Sequence, residues 1–452
     1  MKKSLVADLR KQWHLALRKV FGFLPKPIRF RIFRAFVQCD PTPDARLVLK
    51  IADTQEELEQ CFALLHDAYV GAGFMKPAPS GLRATIYHAL PTTTTLCAKF
   101  DGQVVGTLSL IRESIFGFPL QAIFDLTEIR QRGGNIAEVS ALAVHPDFRK
   151  TGGAILFPLM KFMYEYCTAY FDTRHLVIAV HPSRIEMYES LLFFERLTEN
   201  RVDNYDFANG APAIGATLDL RLAPWKYRQV YGRKPPAKNL YAYFVKVQLS
   251  NITSPSRRYF TTNDPVMTPE LLDHFFNQRT QVFGGLGRRE RVLLRSIYSQ
   301  PEYVRLLPSI EEAPQAEGGS PAGGTPRQQR RYSFSCPAEF WIPLTGGRTR
   351  VASLRIVELS GSGFLAHARE EIPARVWGKA VIHLGEDEDS TVRALVVRGK
   401  VKAGRHFYGF LVAEPDVAWL KFVGALTAGT THGDLDDATR FMPDSWDGPT
   451  QT

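Results

Sequence analysis

The chain has 452 residues, of which 45% are hydrophobic and 23% charged, and its formal net charge at pH 7 is +10. This length and composition are typical of a soluble globular protein with two or three domains. No apolar run reaches the ~18 residues that a membrane-spanning helix needs, and no cleavable signal peptide is evident. The five cysteines are scattered without a Cys-x-x-Cys spacing. They argue against a disulfide framework or a zinc site, predict no metal, and favour a reducing cytoplasm.

The N-terminal segment, residues 1–45, is strongly basic. Residues 1–36 hold ten Lys or Arg against the single acid Asp8, and apolar residues recur among them at near-helical spacing. One interpretation is an amphipathic helix at the inner face of the cell membrane; the other is a helix that packs on its own domain or on a second subunit. Basic charge also suits nucleic acid, but no nucleic-acid-binding motif is present, so this partner is not predicted.

Strand and helix patterns alternate over residues 46–250. The sequence predicts strands at 45–51, 93–100, 104–112, 138–144, 175–180, 218–222 and 240–247, and helices at 56–70, from 154 onward, and at 182–194. The pair Asp101-Gly102 predicts a tight hairpin. This element order indicates an α+β domain with a mixed, largely antiparallel sheet.

The central unit is the strand 138–144, followed by the breaker His145-Pro146 and a glycine loop that opens a helix. A glycine loop at a helix N-terminus points backbone N–H groups at an anion. The pattern Arg-x-x-Gly-x-Ala at residues 149–154 resembles the phosphopantetheine cradle of GNAT-type acyltransferases. The alternative is a structural glycine turn beside a surface arginine.

Neighbouring blocks narrow the resemblance. The stretches 112–120, 130–134 and 137–143 follow one another in an order similar to that of GNAT-like long-chain N-acyl amino acid synthases, relatives of the acyl-homoserine lactone synthases. The stretch 181–195 resembles the tail of the GNAT family, with His181 in place of Asn and Phe193 in place of Gly. The likeness covers about residues 46–225. It implies an acyltransferase that moves a fatty acyl group from acyl carrier protein to the amine of an amino acid, with a phosphopantetheine-linked donor and no permanently bound cofactor.

Such a reaction needs a base, an oxyanion donor and an anion cradle. Glu138 is the candidate base, with a structural carboxylate paired to an arginine as the alternative. The resemblance places oxyanion donors near Ala143 and Val144. Ser140 and Tyr188 are candidates to position the amine or to protonate the leaving thiolate, although Tyr188 also fits a core role. The predicted cradle consists of Arg149, Gly152, Gly153 and Ala154.

An acyl chain also needs an apolar groove. Its candidate lining residues, which equally fit an ordinary core, are Phe116, Phe118, Leu120, Phe124 and Phe157. Two other functions remain open: a GNAT enzyme that uses acyl-coenzyme A on another amine, and an inactive acyltransferase fold that serves as an adaptor.

The C-terminal part follows a different pattern. Residues 251–307 read as a helical bridging segment, 308–326 as a flexible linker and 427–452 as an acidic, disordered tail. Between them, residues 327–426 predict a small all-β barrel with a closing helix. The predicted strands lie at 338–343, 348–358, 363–368, 380–383, 391–400 and 406–412, and the helix at 417–425.

Two motifs in this barrel resemble those of PilZ domains, bacterial receptors for cyclic di-GMP. Arg327 and Arg331 precede the first strand, and Glu358, Ser360 and Gly363 follow in an Asp/Asn-x-Ser-x-x-Gly spacing. Two guanidinium groups can bind phosphates and stack on guanine. Because Glu358 stands where Asp or Asn is usual, a PilZ fold that has lost its ligand is the alternative. The sequence thus predicts an α+β GNAT-like domain joined to an all-β PilZ-type barrel, in which dinucleotide binding regulates the enzyme by ordering the linker.

Overall fold

The computed structural model describes residues 24–149, 151–171, 173–205, 210–254, 266–298, 301–310, 332–344, 346–368, 370–385, 388–402 and 405–428. The predicted amphipathic helix before residue 24, the linker beyond residue 310, Arg327, Arg331 and the tail from residue 429 lie outside these ranges. Within them, no helix is both long and apolar enough to cross a membrane.

One eight-stranded sheet organises the first 220 residues. Its strand order is β1-β2-β3-β4-β5-β8-β6, with β7 paired to β8, and β4–β5 is a parallel pair in an otherwise antiparallel set. The predicted mixed, largely antiparallel sheet is therefore confirmed. The strands are β1 (Leu47–Ile51), β2 (Thr93–Phe100), β3 (Gln103–Arg112), β4 (Asn135–Val144), β5 (Thr173–Val180), β6 (Glu195–Arg196), β7 (Val202–Tyr205) and β8 (Ala211–Asp219).

Helices cover both faces of this sheet. They are α1 (Lys26–Ala35), α2 (Gln55–Ala72), α3 (Thr127–Gln131), α4 (Leu156–Ala169), α5 (Pro182–Met187), which continues as a π-helical turn (Tyr188–Leu192), and α6 (Ala223–Tyr231). Leu159 and Phe162 of α4 pack on one face, here called the α4 face, whereas Phe62 and Leu65 of α2 pack on the opposite, α2 face. The apolar residues of β4 alternate between the two, as expected for a strand buried on both sides.

Two predicted closing strands are wrong. Residues 240–247 form a π-helical turn (Ala242–Lys246), because Tyr243 and Phe244 are consecutive and both buried, which an alternating strand against a single core does not allow. The strand predicted at 218–222 is instead β8, which ends at Asp219. Small residues such as Ala213 and Ala216 have a low strand propensity, so the sequence did not indicate a strand there.

The described residues of 266–307 pack on the α2 face of the sheet. Their helices are α7 (Pro269–Asp273), which continues as a π-helical turn (His274–Arg279), α8 (Arg288–Ile297) and α9 (Pro301–Val304). Phe275 and Leu294 share a core with Phe62 of α2, and the Tyr298 hydroxyl donates a hydrogen bond to the Ala89 carbonyl. The predicted helical character of this segment is confirmed, and its bridging role stays a prediction.

The C-terminal part is a closed six-stranded antiparallel barrel in the order β10-β11-β14-β13-β12-β9. The predicted barrel is confirmed. Its strands are β9 (Tyr332–Pro343), β10 (Thr349–Ser360), β11 (Gly363–Ala368), β12 (Trp377–His383), β13 (Asp389–Lys402) and β14 (Arg405–Glu414), followed by α10 (Val417–Ala428). Trp419 of α10 is fully buried against Phe364, and its indole N–H donates to the Gly361 carbonyl at 3.2 Å.

Candidate active site

Strands β4 and β5 separate part-way along the sheet. Their parallel pairing runs only as far as Glu138 and Val177, whereas β5 continues beside β8 to Val180 and β4 continues beside β3 to Val144. Past Glu138, the described pairings leave the β5 side of β4 open. Backbone groups at such an opening are available to a ligand.

A β-bulge lies in the open part of β4. Ser109 pairs with Ser140 and Thr107 with Ala143, so that β4 carries one residue more than β3 between these pairs. Ala141 at the bulge has φ of 54°, a left-handed conformation that is unfavourable for a residue with a side chain. Bulges re-aim the strand and occur preferentially beside active sites.

Glu138 lies at the start of the opening, on the α2 face with Ile136. The residue is 2% exposed, and its Oε2 accepts a hydrogen bond from the Leu120 backbone N–H at 3.0 Å. Burial raises the pKa of Glu138 to about 8, although the Leu120 hydrogen bond acts in the opposite direction. Within the described residues Glu138 makes no ion pair, so the alternative of an arginine-paired structural carboxylate has no support.

A cluster of aromatic and cationic side chains surrounds Glu138 on the α2 face. Tyr87 and Tyr205 pack into the same core as Leu120, and the Arg83 guanidinium lies 3.9 Å from the centroid of the Tyr69 ring. Burial and then the Glu138 charge raise the pKa of Tyr87 to about 12, and the same two causes raise the pKa of Tyr205.

The sequence reasoning missed this cluster. Its members come from α2, the 3-10 turn at Ile86–Ala89 and its approach, β4 and β7, so no local spacing joins them. Arg83 reads as an ordinary loop arginine in the sequence, and only the fold brings it to Tyr69 and near Tyr205.

A row of polar side chains continues from the cluster across the sheet. His88 Nε2 lies 3.4 Å from the Ser109 hydroxyl, and Ser109 pairs across the ladder with the half-buried Ser140. Burial, with a smaller contribution from the charge of Arg83, lowers the pKa of His88 to about 3. His88 is therefore neutral at physiological pH and acts as a hydrogen-bonding group rather than as a charge.

The predicted cradle lies at the far end of β4. The Arg149 Nε donates to the Val144 carbonyl at 2.8 Å, and the His145 N–H donates to Val105 of β3 at 2.8 Å. Since successive residues of an antiparallel strand direct their backbone groups to opposite sides, Val144 faces the opening and Ala143 faces β3. Of the two predicted oxyanion donors, only Val144 directs its N–H into the opening.

The glycine loop leads directly into α4. Gly152 and Gly153 have φ of 68° and 97°, and a Cβ on Gly153 would lie 2.5 Å from the Phe157 ring. The Ala154 N–H donates to the Thr151 carbonyl at 3.4 Å. Glycine is needed at residue 153 both for its backbone conformation and for the close approach of the loop to the helix.

Tyr188 is not beside the Glu138 side chain. It packs edge-on against Phe194, with ring centroids 5.8 Å apart, in the core of the α4 face together with Val139 and Val180. Burial raises the pKa of Tyr188 to about 12. The structure thus brings Glu138 and Ser140 together on the α2 face and places Tyr188 on the opposite one.

The five groove candidates do not line one groove. Phe118, Leu120 and Phe124 share a core on the α2 face, with Phe116 at the edge of the neighbouring cluster. Phe157 instead packs on the α4 face, because it is the first buried residue of α4.

One family model matches the part of the chain that contains this site. Residues 60–219 match a family model described as N-acyl amino acid synthase FeeM. The matched range lies inside residues 46–225, to which the sequence resemblance applies, and contains β4 and the glycine loop. No curated protein matches the chain.

Several solved structures are similar to part of the chain. FeeM, an N-acyl amino acid synthase from uncultured soil microbes, is 23% identical, covers 40% of this chain and 94% of its own, and has a TM-score of 0.34. The CoA-dependent acyl-homoserine lactone synthase BjaI, solved with SAM and isopentyl-CoA, is 19% identical over 46% of this chain and 93% of its own (TM-score 0.33). A GNAT-family acetyltransferase from Streptococcus pneumoniae is 13% identical over 38% and 98% (TM-score 0.28).

In the barrel, the second predicted motif lies at the turn between β10 and β11. Ser360 pairs with Gly363, and the Ser360 hydroxyl donates to the Gly363 carbonyl at 3.3 Å. A Cβ on Gly363 would lie 2.2 Å from the Phe410 carbonyl oxygen, so this glycine is also required by the packing of β11 on β14. Glu358 is half-buried beside a register shift in β10. The family match does not extend to the barrel, and its assignment as a PilZ domain stays a prediction.

Proposed function

We propose that the chain is an N-acyltransferase that moves a long-chain acyl group from acyl carrier protein to the amine of an amino acid. The observation that carries the proposal is the position of Glu138. A buried carboxyl group with a raised pKa stands where β4 and β5 separate, inside the range that matches the N-acyl amino acid synthase family.

The raised pKa suits proton transfer from an amine. The pKa of about 8 for Glu138 lies closer to that of an ammonium group than the ordinary carboxyl value of 4.5 does. The carboxylate therefore takes the ammonium proton at a lower free-energy cost than an ordinary carboxylate would. The neutral nitrogen then attacks the thioester carbonyl carbon, a C–N bond forms, the C–S bond breaks, and one proton passes from the amine to the sulfur.

The opening between the strands supplies a place for the acyl donor. Glu138 and Val144 are six positions apart, about 20 Å along an extended strand. The Val144 N–H is therefore assigned to the phosphopantetheine arm and not to the oxyanion of a thioester held beside Glu138. An extended phosphopantetheine arm is of comparable length, so its phosphate would lie at Arg149, Gly152 and Gly153.

The aromatic and cationic cluster gives a place for the acceptor. We assign Arg83 to the carboxylate of the amino acid, because a guanidinium group binds carboxylates through two parallel hydrogen bonds. With Glu138 facing the amine and Arg83 facing the carboxylate, one pocket would bind a zwitterion. Tyr87 and Tyr205 lie between the two charged groups in this assignment.

The decisive experiment offers purified full-length protein either acyl carrier protein or coenzyme A thioesters of one fatty acid, with a mixture of amino acids. We expect N-acyl amino acids from the carrier-bound donor, detected by mass spectrometry, and their loss in Glu138→Gln. Product from the coenzyme A thioester alone would favour the acyl-CoA-dependent alternative. If the folded protein gives no product from either donor, the result would favour an inactive acyltransferase fold that serves as an adaptor.

For the barrel we propose binding of cyclic di-GMP and regulation of acyl transfer. The motif at Glu358, Ser360 and Gly363 lies on one turn, and the sequence places Arg327 and Arg331 shortly before β9. Calorimetric titration of the full chain with cyclic di-GMP should give saturable heat that disappears in the double variant Arg327→Ala/Arg331→Ala. Absence of heat from the unmodified protein would refute binding. Unchanged transferase activity at saturating dinucleotide would refute the regulation alone.

A further inference from the structure

Residues 220–254 form a segment with strong positive charge and no acid. The segment contains seven Lys or Arg and neither Asp nor Glu. The basic residues are Arg221, Lys226, Arg228, Arg233, Lys234, Lys238 and Lys246. A basic excess of this kind exerts a long-range attraction on anionic partners.

Helix α6, in this segment, has one buried face and one exposed face. Tyr227 and Tyr231 are buried and pack against Phe193. On the opposite side, Leu222 and Trp225 are 52% and 60% exposed. Arg221, just before the helix, and Arg228, at i+3 from Trp225, are both exposed. The exposed face of α6 therefore carries an apolar centre between two guanidinium groups.

Helix α1 extends this surface. The Lys238 Nζ donates to the Ala35 carbonyl at 2.9 Å, and the Cys39 N–H donates to the Ala237 carbonyl at 2.8 Å, so residues 232–239 run beside the end of α1. Phe36, directly after α1, is 79% exposed.

Three carboxylates near this surface are engaged in ion pairs. Glu186 pairs with Arg29 at 2.6 Å, Glu189 pairs with Lys26 and Arg196, and Glu195 pairs with Lys226. These ion pairs hold α1 and α6 to the domain and remove three negative charges from the surroundings. The outward guanidinium and ammonium groups at 221, 228, 233 and 234 remain directed to solvent.

We propose that the exposed face of α6, together with the loop at 232–238, binds the surface of an anionic lipid bilayer. A tryptophan and a leucine between arginines, on a helix with its opposite side packed on the domain, match the interfacial mode of membrane binding. Trp225 and Leu222 would enter the headgroup region, and the arginines would contact lipid phosphates. The proposed binding residues lie outside the basic segment at 1–36, whose α1 adjoins them, and the proposal does not depend on the proposed acyl transfer.

An acidic protein, including a carrier protein, would also be attracted by the charge. The observation that favours a bilayer is the exposed indole and leucine at the centre of the basic face, with the charges spread along 18 residues from Arg221 to Lys238. A bilayer accommodates both the spread of charge and the apolar centre without requiring a shaped partner.

The test uses the full chain in co-sedimentation with vesicles of phosphatidylcholine and with vesicles in which a third of the lipid is phosphatidylglycerol. We expect binding to the anionic vesicles that weakens with salt, and at least about a tenfold loss of binding in Leu222→Ser/Trp225→Ser. Trp341→Ser, which removes a partly exposed tryptophan of the barrel, is the matched control and should bind normally.

A second variant, Arg221→Glu/Arg228→Glu, tests the charge with the apolar residues in place and should lose binding similarly. Vesicle binding that is equal in the unmodified chain and in both variants overturns the proposal, as does no binding by the unmodified chain. Retention of an acidic carrier protein that both variants abolish, with vesicle binding unaffected, would assign the surface to the protein partner instead.

Discussion

The backbone N–H of Leu120 donates a hydrogen bond to the Glu138 carboxylate at 3.0 Å, across 18 positions of sequence. This contact ties the loop after β3 to the point where β4 and β5 separate, and it holds one carboxylate oxygen in place. A single backbone donor does not offset the burial of the charge, so the pKa of Glu138 stays raised, at about 8. The same residue therefore affects both activity and stability.

For activity, kcat/KM should rise with pH through an apparent pKa near 8, because only the ionised form of Glu138 accepts the amine proton. In Glu138→Gln the rate should fall by about two to four orders of magnitude, the usual contribution of a general base. The amine's own titration is common to both proteins, so the ratio of the two pH profiles isolates the contribution of Glu138. A constant ratio from pH 6 to 9 would contradict a role as base.

The free energy of unfolding should change with pH in the direction opposite to kcat/KM. The folded protein binds a proton at Glu138 up to about pH 8, whereas the unfolded chain loses it near the ordinary glutamate pKa of 4.5. The free energy of unfolding should therefore fall as pH rises between these two values. Glu138→Gln lacks this dependence. Its stability relative to the parent should increase over that window by at most on the order of 5 kcal/mol. Urea titrations at pH 4.5 and 8 measure the difference.

Glu57 should show the reverse dependence on pH. Burial alone would raise its pKa, but hydrogen bonds from Lys99 at 2.7 Å and Lys50 at 2.9 Å lower it to about 2. The stabilisation is present above the unfolded value of 4.5 and is lost as the pH falls through about 2. Glu57→Gln should thus be less stable than the parent at pH 7 and differ little from it near pH 2. Glu56→Gln, an exposed neighbour, is the control.

The two pH dependences differ because of partners that the sequence did not reveal. Glu138 was recognisable as a candidate from its place before a glycine loop, and the strand, loop and helix around it occur nearly as predicted. The sequence did not show that Glu138 lacks an arginine partner. The side chains that surround a buried glutamate come from distant strands such as β1, β2 or β7, and not from its neighbours in sequence. For the same reason Arg83, Tyr87 and Tyr205 gave no signal.

The prediction was most accurate where local chemistry determines structure. The hairpin at Asp101-Gly102 and the alternating strands of the barrel have strong local preferences, and their bounds agree closely with the prediction. The run around Tyr243 and Phe244 failed, since a short apolar run fits a strand and a helical turn equally well.

Gly153→Ala should disrupt the cradle. A methyl group at residue 153 would meet the Phe157 ring at 2.5 Å, and its φ of 97° is strained for any residue with a side chain. We expect a loss of about 1–3 kcal/mol in unfolding free energy, together with a higher KM for the acyl donor. Gly71→Ala in α2, where nothing lies within 4 Å, is the control and should be neutral or slightly stabilising. A Gly153→Ala protein with unchanged donor KM would argue against a phosphate site at this loop.

Arg83→Gln should change which acceptors the enzyme prefers. If Arg83 binds the acceptor carboxylate, the variant should lose about 10- to 100-fold in kcat/KM for an amino acid. The same variant should keep its activity on the corresponding amino acid amide, which has no carboxylate to bind. Initial rates with the acid and the amide, measured for both proteins, give the selectivity directly.

The control for this prediction is Arg46→Gln. Arg46 also stacks on an aromatic ring, 4.3 Å from the centroid of Phe100, but it lies on the exposed side of β1. Loss of a stacked arginine in general would affect both variants, whereas loss of a carboxylate partner affects Arg83→Gln alone. Equal losses on acid and amide in Arg83→Gln would show that Arg83 supports the fold of the pocket and does not select the substrate.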